Sequence, residues 1–190
     1  MEVVARWIAE LTSGDDRRAE AAALALGACG AQALDSLQRL LAVPEPDVRW
    51  WAARALSEIE APEVPALLLQ ALEDRDQSVR QCAALGLRRS PDVQAVSALA
   101  AALAHPDRLF ASLAGAALIA IGPPAVPALL ETLQHGAPAA RIEAARALAQ
   151  IGDPQAIAGL FAILDETAML YYWAEHGLEK MGVSMQFFKP

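Results

Sequence analysis

The residues of this 190-residue chain that could do chemistry fall into rows at repeating registers. Arg49, Arg80 and Arg141 occupy one register, as anion ligands spaced along a track would. Asp74, His105, His135 and Glu166 occupy another, and carboxylate and imidazole are side chains that hold zinc. Asp15, Glu45, Asp76 and Asp107, with Thr167, form a third. Rows carried on helices packed roughly 8–10 Å apart cannot converge on an ion whose ligands lie near 2 Å from it, so no metal site is expected. Three spaced arginines among 15 basic and 23 acidic residues, net charge −8, make a poor phosphate track. No nucleic-acid partner is therefore expected. The third row suits helix N-caps, where Asp and Thr accept from free backbone N–H groups and Glu45 does so less well. Cys29 shares its register with Ile59, Ile121 and Ile151 and reads as core. Cys82 is expected to be partly exposed, with only Arg80 nearby in sequence to activate it. No G-x-S-x-G, phosphate loop, C-x-x-C or H-E-x-x-H occurs, so no catalytic residue and no cofactor site is expected.

The rows exist because the chain repeats. Leu26, Leu56, Leu87, Leu118, Leu148 and Leu178 recur every 30 or 31 residues, each preceded four residues earlier by alanine: Ala22, Ala52, Ala83, Ala114, Ala144 and Ala174. A second ladder interleaves: Leu11, Leu41, Leu72, Leu103, Leu133 and Leu164, with Trp7, Leu37, Leu68, Leu99, Leu129 and Leu160 four residues earlier. Spacings of four, seven and eight are helical. Each unit therefore reads as an A helix (alanine ladder) and then a B helix, joined by turns that hold Gly30, Pro62, Pro91, Gly122 and Gly152. The constant alanine lets two helices approach closely while leucines one turn away fill the grooves. One pair cannot bury both faces, so the pairs stack. The fold class expected is all-α: a right-handed α-solenoid of about six antiparallel helix pairs. It forms one domain over 1–190, with 1–14 a capping helix and 166–190 a capping helix and tail.

The run Ala140 to Gly152 followed by Asp153 to Leu164, and the run Ile121 to Leu133, resemble HEAT-like repeats of the short, phycobilisome-lyase type. The resemblance spans nearly the whole chain. It implies that Arg49, Arg80 and Arg141 join acidic residues between repeats, and that the B helices line a concave binding side. It also implies an alternative activity, as subunit of a bilin lyase or isomerase acting on an antenna protein. The order Glu175-His176 departs from the His-Glu motifs that hold iron in HEAT-repeat hydroxylases, and an acidic chain departs from the basic groove of HEAT-like glycosylases.

Two surfaces are left as candidates. Positions two and five before each B anchor should point away from the core, which assigns Arg39, Leu67, Gln70, Ala98, Ala101, Glu131 and Ala162 to a partner-binding face. The B segments Gln94 to Ala104 and Gln155 to Leu164 carry no charge, and a helix apolar all round is normally covered. Aromatics form the second set: Trp50, Trp51, Tyr172, Trp173, Phe187 and Phe188, which either bind a partner or cap the repeats. No apolar run reaches the roughly 18–20 residues of a membrane span, and no basic leader precedes an apolar stretch, so a cytoplasmic protein is expected. The function expected is a non-catalytic scaffold with a concave, apolar, weakly acidic surface, whose partner is another protein or a second copy in a homodimer.

Overall fold

The computed structural model describes residues 2–183, and among them the secondary structure is helical throughout, with no strand. Six B helices are the odd-numbered ones: α1 (Glu2–Leu11), α3 (Leu34–Leu40), α5 (Val64–Ala71), α7 (Val96–Ala102), α9 (Val126–His135) and α11 (Ile157–Phe161). Six A helices alternate with them: α2 (Asp16–Cys29), α4 (Pro46–Leu56), α6 (Gln77–Arg89), α8 (Arg108–Ile121), α10 (Pro138–Ile151) and α12 (Ala168–Lys180). The helices group into two compact units, Met1–Ala95 and Val96–Pro190.

Each unit holds three stacked pairs, and the pairing differs from the A-then-B reading. The close packing joins each B helix to the A helix that follows it: α1 to α2, α3 to α4 and α5 to α6 in the first unit, then α7 to α8, α9 to α10 and α11 to α12 in the second. Neighbouring A helices then pack side by side, α2 on α4 on α6 and α8 on α10 on α12. The ladders explain why. Every alanine of the A ladder is fully buried, and so is every leucine four residues on, so the A helix offers a narrow methyl strip against which a B helix lies close. Leu37, Leu68, Leu99, Leu129 and Leu160 face that strip and are likewise sealed from water. Each such leucine contributes roughly 1.5–3 kcal/mol by burial.

The turns follow local chemistry. Asp15 accepts from the Arg17 and Arg18 amides, Asp76 from Ser78 and Val79, Asp107 from Leu109 and Phe110, and Thr167 Oγ1 from Leu170. Those bonds satisfy orphan donors at the starts of α2, α6, α8 and α12. Glu45 makes no such bond, and α4 starts instead on Pro46. At the other end, Gly122 and Gly152 take φ of 78° and 72°, a region closed to most side chains, and the amide of each closes back onto Leu118 and Leu148. A further buried row at the entry to the B helices, Ala33, Val64, Ala95, Ala125 and Ala156, recurs at the same period of 30 or 31 residues.

Candidate partner-binding surfaces

The arginine row is structural. Arg49 is 4% exposed and holds Asp74 with two parallel bonds, Nε to Oδ2 at 2.7 Å and Nη2 to Oδ1 at 2.8 Å. Its Nη1 donates to the carbonyls of Val43 and Pro44 at 3.0 and 2.7 Å. One guanidinium therefore ties the loop before α4 to the loop after α5. The bonds from Arg49 hold the Asp74 carboxyl below its ordinary range, against the opposing pull of burial. Arg80 donates to the carbonyls of Asp74 and Arg75. Arg141 donates to the carbonyl of Leu133 at 2.6 Å and pairs with Glu166 at 2.7 Å. Arg49 and Arg141 thus reach an acid one repeat on, as the resemblance implied.

Three members of the Asp74, His105, His135 and Glu166 row are accounted for by contacts, and His135 is exposed. Asp74 and Glu166 are the arginine partners. His105 Nδ1 accepts from the Asp107 amide at 3.0 Å and its ring meets Phe110 edge-on at 5.1 Å. Among the described residues no three His, Cys, Asp or Glu side chains come together in a way that could hold a metal ion. Cys82 corrects the expectation of partial exposure: it is buried, its Sγ lies 3.9 Å from the Trp50 carbonyl, and burial pushes its pKa up to about 12. Packing of α6 on α4 covers it. At neutral pH it is a thiol, not a nucleophile. Cys29 is half-buried. No helix among the described residues is long and apolar enough to cross a membrane.

On the B helices the two registers part company. Two residues before the anchor, Arg39, Gln70, Ala101, Glu131 and Ala162 are all exposed. Five residues before, Leu67 is only 7% exposed and Ser36, Ala98, Ala128 and Gly159 are half-buried. The expectation that Leu67 and Ala98 point to solvent is therefore corrected. A β-carbon on Gly159 would lie 2.5 Å from Leu130 Cδ2 of α9, so this register packs against the neighbouring B helix. The exposed companion row lies six before the anchor: Asp35, Ala66, Ser97, Pro127 and Ala158. Helical geometry carried that signal, because four residues overshoot a full turn by about 40° whereas three fall short by about 60°. The ridge of α7, α9 and α11 consists of Ser97, Ala101, Pro127, Ala158 and Ala162, with Glu131 its single charge. In the first unit the same registers on α3 and α5 carry Asp35, Arg39, Ala66 and Gln70.

The aromatics separate likewise. Trp50 and Trp51 are both half-buried and meet edge-to-face at 4.7 Å. Tyr172 is 55% exposed, packs edge-on to Trp173 at 4.9 Å and stacks with His176 at 6.3 Å. Phe187 and Phe188 lie outside the described residues.

The sequence model for HEAT repeats matches residues 4–88 and 96–179, two stretches that fall one in each compact unit. No curated protein matches the chain. Among solved structures, a chain from the complex of CpcE and CpcF of phycocyanin lyase from Nostoc sp. PCC7120 is 27% identical. It covers 93% of this chain and 76% of its own, with a TM-score of 0.57. An engineered protein is 24% identical over 96% of this chain and 97% of its own, TM-score 0.56. A designed armadillo repeat protein in complex with the peptide (KR)4 is 18% identical over 95% of this chain and 100% of its own, TM-score 0.58. The last two share the fold.

Proposed function

The chain belongs to the HEAT-repeat family, and we propose that it is a non-catalytic scaffold that binds another protein through the exposed ridges of its B helices, each unit presenting its own. The observation that carries this reading is the uniform exposure of Arg39, Gln70, Ala101, Glu131 and Ala162 at one register. Nothing in the stacking requires side chains there, so the register is free to be written for a partner. In the second unit it is written in small apolar residues, which favours contact by shape and water exclusion over charge. Self-association through that ridge is the simplest version, since the same row would serve both protomers of a homodimer.

Two measurements test it. Light scattering coupled to size exclusion, over a concentration series, gives the oligomeric state. A dimer that an Ala101→Glu/Ala162→Glu variant returns to monomer supports self-association through the ridge. For a heterologous partner, a photo-crosslinking residue replacing Gln70, Ala101, Glu131 or Ala162 should trap one discrete species in cells. The same residue at Leu24 or Leu85, exposed on α2 and α6, should not. Equal trapping from both sets would remove the ridge from the site.

A second reading, a subunit of a bilin lyase or isomerase that acts on an antenna protein, is supported by the 27% identity over 93% of this chain to part of the Nostoc complex. It predicts a visible-absorbing adduct when the chain is co-expressed with a bilin source and an antenna subunit. A colourless preparation under those conditions counts against it.

A further inference from the structure

Trp50 and Trp51 pose a question that stacking does not answer. Adjacent residues diverge by about 100° around a helix, so both cannot lie in one core stripe. In the first unit the two indoles wall a groove of about 780 Å³, formed where the chain enters α2, α4 and α6. Its rim carries Asp16, Glu45, Asp47 and Asp76, and no Lys, Arg or His lines it.

We propose that this groove docks a lysine- or arginine-bearing extended segment of a partner protein, with a cationic side chain laid against the tryptophan faces and held by the rim carboxylates. The proposal rests on the scaffold reading only in taking the partner to be a protein, and it names a surface separate from the ridge.

Three arguments favour this occupant. First, among the described residues no cation forms an ion pair with Asp16, Glu45 or Asp47; the nearby Arg49 is bonded to Asp74 and reaches Glu45 and Asp76 only through the longer-range field. Second, the magnitudes favour a cation. Three helix N-termini bring roughly half a positive charge each, about +1.5 together. Four carboxylates outweigh that, so the groove does not act as the anion site that bare helix N-termini would make. Third, indole faces bind cations through their quadrupole, whereas a purely apolar peptide would desolvate the carboxylates with nothing in return. The groove volume falls in the roughly 300–1,000 Å³ range that holds a ligand.

The test is fluorescence anisotropy of a labelled hexa-arginine peptide titrated with the full chain, with hexaglutamate as the opposite-charge control. Glu45 and Asp47 make no capping bond, so Glu45→Gln/Asp47→Asn should fold unchanged, checked by circular dichroism. A charge-matched variant, Glu60→Gln/Glu63→Gln, alters two exposed acids in the turn between α4 and α5, away from the groove. Saturable binding of hexa-arginine, weakened about tenfold in the first variant and less than about twofold in the second, supports the proposal. Absence of binding to the native chain, equal loss in both variants, or equal affinity for hexaglutamate overturns it. None of those outcomes bears on the ridge, which the crosslinking experiment tests by itself.

Discussion

The two units carry the same ladders of buried alanine and leucine, yet they stitch their pairs together differently. In Met1–Ala95 one ion pair is sealed from water and others link neighbouring A helices. Arg49 and Asp74 are 5% and 11% exposed at their side chains, Arg54 bridges Glu20 of α2 and Glu58 after α4, and Arg89 returns to Glu58. In Val96–Pro190 the corresponding pair, Arg141 and Glu166, is 22% and 37% exposed, and Arg146 pairs with Glu143 within its own helix. Both units bring helices together on small residues: a β-carbon on Gly27 would lie 2.9 Å from the Glu58 carbonyl oxygen in the first, and one on Gly177 2.9 Å from Cα of Ala149 in the second. The ladder dictates the pairing in both units, and what the remaining positions vary is how deeply an ion pair between repeats is buried.

The largest effect is expected at Arg49, the buried partner of Asp74. Arg49→Met should remove both bonds to Asp74, leaving a buried carboxylate with only the Asp76 amide and the Val43 carbonyl without its guanidinium donor, while Arg75 still serves Pro44, at a cost of about 3–5 kcal/mol. Urea denaturation measures it. Arg141→Met should cause a much smaller change, because water replaces the guanidinium at Glu166. Equal losses would mean that burial of the pair is not what distinguishes the units.

Most of the fold was legible because its signals are periodic. Ala22 to Ala174 and Leu26 to Leu178 name the A helices, and Asp15, Asp76, Asp107 and Thr167 mark starts that the hydrogen bonds bear out. Which neighbours pair was not legible: a period of 30 or 31 reads identically for A-then-B and B-then-A, and only contact between α1 and α2 or α11 and α12 decides. The surfaces were half legible. The exposed row from Arg39 to Ala162 followed from the anchors, but the register of Leu67 did not, because what it meets is set by stacking between repeats, as where Gly159 lies against Leu130. Trp50 and Trp51 stood out as a conflict with the core stripe, while the groove they wall needs Asp16 and Asp76 from other helices, which sequence distance conceals.

Close approach in the second unit is tested at Gly177. Gly177→Ala gains about 1 kcal/mol of helix propensity, but the added methyl meets Leu160 Cδ1 at 2.8 Å and the Ala149 backbone at 2.9 Å. Backbone cannot swing aside, so a net loss of about 1–3 kcal/mol is expected in thermal or chemical denaturation. A neutral result would show that α10 and α12 are not held at contact distance.

A smaller effect separates the units along the pH axis. Because its bonds to Arg49 depress the Asp74 pKa in the folded chain, the pair contributes stability that is fully present above the unfolded carboxylate value, about 3.9. That contribution is lost as pH falls from there through the folded value. Protonated Asp74 keeps an oxygen for the Asp76 amide, so this loss should be less than that of Arg49→Met. Denaturation midpoints measured from pH 6 downward should fall more steeply in the native chain than in Arg49→Met. Parallel slopes would detach Asp74 from the acid response.

The smallest effect is the sharpest test of what a close approach means. A β-carbon on Gly115 of α8 would also meet atoms under 3 Å away, Arg146 Nη2 at 2.8 Å, with Glu143 Oε2 next at 3.2 Å. Both are ends of flexible, half-exposed side chains. Arg146 gives up one bond to the Ser112 carbonyl at 3.2 Å when it moves, and water takes its place. The helix-propensity gain then survives, so Gly115→Ala should raise stability by a few tenths to about 1 kcal/mol. If it instead lowered stability as much as Gly177→Ala, the Arg146–Glu143 pair would be as rigid as backbone. A half-exposed pair of the second unit would then be held as firmly as the buried Arg49–Asp74 pair of the first, and burial would no longer separate the units.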